Sequence, residues 1–291
     1  MLDFRPPALS DRQRIDSFVK KSGQIGCDVS FVNTYLWREH YNIRVAFTGD
    51  SYFKCYLNDS GVVAGYSFPM TCGDIHKAID TVLADAKERG IKPVIGLLSD
   101  TNAGVIRQLY GDSVTVKEER NVFDYVYRRE NLANLAGKKY HAKRNHLSRF
   151  FREHDNYSIE EIKEENFADV LSVTGRWLDS ADDTGELSII RDALEHFDAL
   201  GMFGLLLYTD GRPVAMTLAS SINDSVCDVN FEKAVEIDEA YAVINNALAK
   251  HCDSFTLFNR EEDMGLEGLR KSKLSYHPDI LLAKSTAVFD V

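Results

Sequence analysis

MFGLLLYTDGRPVAMTLASSI, residues 202–222, decides how this chain is read. Two apolar runs flank Asp210-Gly211, a dipeptide that tolerates the positive φ angles of a tight hairpin. The first run, FGLLLY at 203–208, reads as a buried strand, and VCDVNFEKA at 226–234 continues an antiparallel meander. Downstream come a helix in AYAVINNALAKHC, a strand in SFTLFN, the charged stretch FNREEDMGLEGLRKSKLSYHP (258–278) as a helix, and a strand in DILLAKSTAVF. Upstream are a helix over 138–153, a strand in YSIEEIK, and helices in NFADVLSVTGRWLDS and ELSIIRDALEHFDALG.

The first half repeats the order. Ile15, Phe18 and Val19 mark one face of a helix over residues 11–22, and Ser30 stands as an N-cap for a helix in residues 30–41. IRVAF, YFKCYL and GVVAGYSF form a meander broken by Thr-Gly-Asp and Asn-Asp-Ser-Gly turns. GDIHKAIDTVLADAKERG is a helix with Gly90 as its C-cap, followed by strand KPVIGLLSD, helix NAGVIRQLYG, and strands near VTVKEE and VFDYVYR. The pattern predicts two copies of one α/β unit, residues 1–135 and 136–291, divided within ENLANLAG.

Composition narrows the classes. The chain has 291 residues, 44% hydrophobic and 27% charged, a size that suggests two soluble domains. No apolar run approaches the roughly 18 residues of a membrane span, and MLDFRPPALSDRQ does not read as a signal peptide. Five scattered Cys without a CxxC pair argue against a zinc ribbon or disulfide scaffold and for a reducing cytoplasm. No metal site is expected, because His141, His146 and His154 lack acid partners nearby in sequence. The net charge of −11 opposes wholesale coating of nucleic acid. The exception is KKYHAKRNHLSRFFR, residues 138–152, with six Lys/Arg and no acid.

The order of helices, meander, helix, strand, helix and strand resembles an acetyltransferase-like (GNAT) unit. Two in tandem resemble the Fem peptidoglycan aminoacyltransferases. LAGKKYHAKRNHLSRF, DVNFEKA, AYAVINNALAKH and NREEDMGLEGLRKSKLSYHP, with SFVNTYLWREHY near the start, resemble the phosphatidylglycerol lysyltransferase C-terminal-domain family. The resemblance implies an α/β (α+β) fold of two tandem GNAT-like domains, each a largely antiparallel mixed sheet flanked by helices. One departure stands out. The glycine-rich pyrophosphate loop of acetyl-CoA enzymes is replaced by EKAVEIDEAYAVIN, which has no glycine and four acids, Glu232, Glu236, Asp238 and Glu239. Acids at a helix N-terminus repel a pyrophosphate. An acidic pocket suits the ammonium of an aminoacyl group or an amine acceptor.

Three groups of candidate residues follow. The basic helix offers Lys138, Lys143, Arg144, Asn145 and Arg149 to phosphate, of tRNA, a lipid head group or a nucleotide. Its stripe of Tyr140, Leu147 and Phe151 is expected to pack inward; a solvated helix paired with neighbouring acids is the plainer alternative. The strand-to-helix junction at Asn259, Glu261 and Asp263 is expected to line a cleft, with Arg270, Lys273 and Tyr276 as pocket groups and Leu266 and Leu269 facing the core. Last, Asn230 and Glu232 end a meander strand. Glu232 is the general-base candidate and Tyr276 a second catalytic candidate, with Tyr241 and Asn245 one helical turn apart beside them. For Tyr241, Trp37 and Trp177 a core role is the better expectation.

The resemblance implies an acyl or aminoacyl transferase that moves an aminoacyl group from aminoacyl-tRNA to an amine or hydroxyl of a lipid or small molecule. A non-catalytic ligand- or nucleic-acid-binding module and an acyl-CoA-dependent N-acyltransferase are the alternatives. No cofactor beyond the donor is implied.

Overall fold

The structure, a computed structural model, describes residues 1–178 and 185–290. Two compact units emerge: Met1–Asp124 with Glu262–Glu267 and Leu281–Val291, and Tyr125–Glu261 with Gly268–Ile280. Each holds a mixed sheet flanked by helices, the tandem GNAT-like arrangement.

In the first unit the strands run in the order Ile43–Thr48, Ser51–Leu57, Val63–Ser67, Val94–Leu98, Ser285–Phe289, Val114–Glu118. Among the described residues of this unit only the Val63–Ser67 and Val94–Leu98 pair is parallel; their connection carries the helix Ile75–Arg89, as a parallel crossover requires. Ile79, Val82 and Ala86 of that helix bury against Phe53, Ile95 and Phe289 of the sheet. Gly90 ends it at φ 70°, and Ser30 caps Phe31–Leu36 by accepting the Asn33 amide at 2.9 Å.

In the second unit the hairpin forms as its sequence requires. Asp210 and Gly211 take φ of 50° and 73° between Phe203–Thr209 and Arg212–Asn223. Val226–Ala234 pairs antiparallel with Arg212–Asn223 and parallel with Leu257–Asn259, so it lies inside the sheet. Gly204 is there for space: a Cβ would meet the Thr217 carbonyl oxygen at 2.1 Å. The helix Ala240–His251 covers this sheet with Val243, Ile244 and Leu248. Its Asn246 amide donates to the Leu132 and Ala133 carbonyls at 2.7 and 2.8 Å, satisfying the end of Arg129–Asn134.

The linear division at 135 differs from what the sheets show. The strand Ser285–Phe289 closes the first sheet, between Val94–Leu98 and Val114–Glu118. Asp124–Arg128 belongs to the second sheet, antiparallel to Leu257–Asn259. Strand pairing over more than a hundred residues carries no local signature, so reading in chain order assigned both strands to the wrong sheet. Helix Phe167–Leu178 forms as expected, while Asp179 and Ser180 lie outside the described residues. Tyr241 is 36% exposed, and Trp37 and Trp177 are half-buried, against the core roles expected for them.

The first unit has a buried ionic centre. The Lys284 ammonium donates to Asp124 at 2.5 Å and lies 2.9 Å from Asp28. Cys27 joins it, its amide donating to Asp124 at 2.8 Å. Burial works against the Lys284 charge, yet Asp124 and Asp28 outweigh it and hold its pKa well above the ordinary value. A lone charge here has no compensation. Lys284→Ala should therefore lower stability by about 3–5 kcal/mol in urea unfolding. Asp124→Asn and Asp28→Asn together with Lys284→Met should recover most of that loss, and a single-variant loss below about 1 kcal/mol contradicts this account.

Candidate functional site

The central strand Val226–Ala234 alternates. Val229 and Phe231 take one face, and Asp228, Asn230 and Glu232 take the other. All three polar side chains are withdrawn from solvent: Asp228 and Asn230 are buried, and the Glu232 side chain is 9% exposed.

Glu232 is held at both oxygens. Arg260 Nη2 donates to Oε1 at 2.6 Å, and Asn245 Nδ2 to Oε2 at 3.1 Å. Arg260 comes from the turn after strand Leu257–Asn259, and its side chain is 10% exposed. It lies over the Tyr276 ring at 4.9 Å and the Tyr127 ring at 5.9 Å. Burial opposes its charge, but Glu232 and the two tyrosines beside it raise its pKa overall. Burial pushes the Tyr276 phenol well up, against the opposing pull of Arg260, so it stays neutral. Lys273 donates from Nζ to the Arg260 carbonyl, and its own carbonyl accepts Tyr127 Oη at 2.7 Å. The turn that carries Arg260 is thus tied down from two sides.

Several buried polar atoms beside this pair have no hydrogen-bond partner within the described chain: Arg260 Nη1, Asn230 Oδ1, Asn245 Oδ1 and Thr217 Oγ1. Thr217 sits directly across the ladder from Glu232. One unpaired buried group costs about 1–3 kcal/mol, so such a concentration is uncommon in a purely structural core.

The basic helix runs His141–Glu153 after a 3-10 turn at Lys138–Tyr140. Its inward residues are Tyr140, Leu147 and Phe150; Phe150 is 1% exposed and Phe151 is 41% exposed. The expected stripe was one residue off at its end: Phe150 and Phe151 lie three and four residues from Leu147, so spacing alone does not choose between them. On the observed phase Lys143 falls on the inward stripe. Its Nζ lies 3.8 Å from the centre of the Tyr276 ring. Burial first, then the Arg260 charge, push its pKa down to about 8, with Glu232 pulling the other way. The other cations expected to bind phosphate have different settings. Arg144 donates to the Leu135 and Gly137 carbonyls. Arg149 pairs with Glu239 at 2.7 Å, and Asn145 contacts His141 at 3.3 Å. Lys138 is exposed.

The stretch 258–278 is not one helix. Glu261 and Met264 take φ of 55° and 51°, and the helix is confined to Glu267–Leu274. Asp263 belongs to the first unit, paired with Arg120 at 3.0 Å. Asn259 is buried and accepts the Glu261 amide at 2.8 Å. Arg270 is half-buried, and Leu266, expected in the core, is 55% exposed because it sits in the turn before the helix. Tyr241 Oη accepts from Trp177 Nε1 at 2.9 Å. Of the expected residues, the structure brings Glu232, Asn230, Asn245, Tyr276, Lys273 and Lys143 together. Arg260 and Asp228 were missed. For Asp228 the D-V-N-F-E alternation was the available signal; a run of opposite charges hid Arg260.

Potential metal ligands also converge elsewhere. Cys27, Asp124 and Glu262 bring donor atoms within 4.8 Å of one another, where the Lys284 ammonium already engages Asp124; Asp192, Glu195 and His196 form a second group. Cavities of about 720 and 660 Å³ are lined by residues such as Glu160, Asp169 and Tyr208, and Arg129, Phe255 and Asp279. Neither includes an expected site residue.

Two units, each a mixed sheet flanked by helices, define the class as a tandem GNAT-like fold. The chain belongs to the family described as phosphatidylglycerol lysyltransferase, C-terminal, whose model matches residues 20–288. A crystal structure of a conserved protein of unknown function from Bacteroides thetaiotaomicron is similar over 99% of this chain and 100% of its own, at 33% identity and TM-score 0.93. The structure of L-PGS from Bacillus licheniformis shares the fold at 15% identity and TM-score 0.67, covering 96% of this chain and 92% of its own. FemX shares it at 9% identity and TM-score 0.62, covering 98% and 97%. An uncharacterised protein of Mycoplasmoides gallisepticum is 26% identical over 174 residues, 55% of this chain; the match spans about half of that relative, 54% of its length. No helix among the described residues is long and apolar enough to cross a membrane.

The carbonyl contacts of Arg144 make a testable distinction within the basic helix. Arg144→Ala should lower stability by about 1–2 kcal/mol, because two backbone carbonyls lose a charged donor. Lys138→Ala should change it by less than about 0.5 kcal/mol. Equal melting temperatures for the two variants would contradict the assignment of Arg144 to the backbone.

Proposed function

We propose that this chain transfers an aminoacyl group from the ester of an aminoacyl-tRNA to an amine or hydroxyl acceptor, at the site built around Glu232 and Arg260. The observation that carries this reading is the set of unpaired buried atoms beside the pair. Arg260 Nη1 is a charged donor suited to a carbonyl oxygen that gains negative charge as a nucleophile adds. The Asn230 and Asn245 Oδ1 atoms are acceptors suited to the ammonium of an aminoacyl group. Glu232 holds Arg260 and Asn245 in place, so the donors need no reorganisation when charge develops. Attack on an activated ester needs no covalent enzyme intermediate, and alignment supplies much of the rate.

Family membership and the fold shared with L-PGS and FemX support the reading. So does the central helix. Glu236, Asp238 and Glu239 stand before Ala240–His251, where a CoA pyrophosphate would meet like charge. The outward cations Lys138 and Lys139 remain for tRNA phosphate. The acceptor is a lipid head group such as phosphatidylglycerol, or a soluble amine.

The test supplies the purified chain with a pool of labelled aminoacyl-tRNAs, and separately with acetyl-CoA, against phosphatidylglycerol vesicles and a panel of amines. The expected result is labelled product from an aminoacyl-tRNA, falling more than 100-fold in Arg260→Met. A melting shift with aminoacyl-tRNA should also weaken as salt rises. Product from acetyl-CoA and none from aminoacyl-tRNA would establish the acyl-CoA alternative. Binding without product from any donor would make the chain a ligand-binding module.

A further inference from the structure

The transfer reading leaves one step without an agent. The attacking hydroxyl or amine must lose a proton as it bonds to the ester carbonyl carbon, and the departing ribose oxygen must gain one. Glu232 was the sequence-based candidate. In the folded chain each of its oxygens already accepts a hydrogen bond, from Arg260 at 2.6 Å and from Asn245 at 3.1 Å. Using it as a base would dismantle the contacts that orient Arg260.

We propose that Lys143 is the proton acceptor and donor of this transfer, a role that rests on the transfer reading. Its neutral Nζ takes the proton from the nucleophile as the new bond to the carbonyl carbon forms. It returns that proton to the ribose oxygen as the ester C–O bond breaks, so the enzyme ends unchanged.

Four observations on different elements carry this. Lys143 lies on the inward stripe of His141–Glu153 with Leu147 and Phe150, so its stem is led under the sheet cover rather than into solvent. Its Nζ sits over the Tyr276 ring at 3.8 Å, the same ring that Arg260 overlies at 4.9 Å. It makes no ion pair among the described residues, unlike Arg149 and Arg152 of the same helix. The unpaired Nη1 belongs to Arg260, one of the charged groups that act on it.

The groups facing Lys143 explain why it can release a proton. Arg260, from the turn after Leu257–Asn259, repels its charge. Glu232, from Val226–Ala234, attracts it while being shared with Arg260 and Asn245. Tyr276, after Glu267–Leu274, is neutral and offers only its ring face. On its own segment, Lys139 lies over the Tyr140 ring at 4.9 Å, and the His277 ring sits against that same tyrosine. Burial and Arg260 bring Lys143 down to about 8, where both protonation states are populated near neutrality. Arg144 and Arg149 cannot serve, since a guanidinium does not deprotonate.

Two readouts test this on the full chain. The first needs no substrate: trace acetic anhydride labelling between pH 6 and 11, read peptide by peptide by mass spectrometry. Lys143 should label with a midpoint near 8, below the ordinary lysine value of about 10.4. A Lys143 that labels only near that ordinary value, or never labels, overturns the proposal. The second is the transfer rate against pH. Wild type should rise to a plateau with an apparent pKa near 8. Lys143→Met should lose that limb and fall roughly 10²–10³-fold, with KM for aminoacyl-tRNA within about threefold. Lys143→Arg, which keeps the charge, should be equally slow. A pH limb that survives in Lys143→Met overturns the proton role and leaves the transfer reading standing. No transfer from any donor, with Lys143 still labelling near 8, overturns the transfer reading and this role with it.

Discussion

The Glu232–Arg260 pair takes two full charges out of water. At 2.6 Å, with side chains 9% and 10% exposed, its attraction is strong, but the cost of desolvating both ions rarely leaves a net gain. The surroundings reduce that cost: Asn245 supplies a second hydrogen bond to the carboxylate, and the rings of Tyr276 and Tyr127 lie beneath the guanidinium. Even so, Arg260 Nη1 and the Asn245 and Asn230 oxygens stay unpaired. A core optimised only for stability would have apolar side chains here. Polar valences kept open inside a strand-centred pair are what a site reserves for a ligand.

Two lysines of this chain show how context sets chemistry. Lys284 lies between Asp124 and Asp28, which hold it charged. Lys143 is less deeply buried, but it has a shared Glu232 for attraction and Arg260 for repulsion, so burial and Arg260 bring it down to about 8. The first lysine fixes a fold. The second has a proton to exchange. For Lys284 two carboxylates outweigh burial; for Lys143 burial leads and Arg260 adds to it, which chain position alone does not reveal.

Much of the fold was legible because local chemistry and tertiary packing agree. Ser30, Gly90 and Asp210-Gly211 each punctuate the chain as their side chains dictate. Ile15, Phe18 and Val19 bury as their spacing requires. What was not legible depends on partners distant in sequence. The placement of Ser285–Phe289 in the first sheet is set by pairing with Val94–Leu98 and Val114–Glu118. Which of Phe150 and Phe151 the basic helix buries is set by what packs against it, since both lie one turn from Leu147. At the site, Glu232, Asn230, Asn245 and Tyr276 were visible from strand alternation and resemblance. Arg260 was not, since a cation among Glu261, Glu262 and Asp263 reads as solvated until the fold brings it to a carboxylate 28 residues away.

The central claim is that this pair is kept for a ligand and not for stability. The melting temperature of Glu232→Leu with Arg260→Met tests it most directly, because both charges leave together and no orphan remains. The account predicts a folded chain whose melting temperature equals or exceeds that of the wild type. A fall of about 10 °C or more would contradict it and make the pair a structural staple.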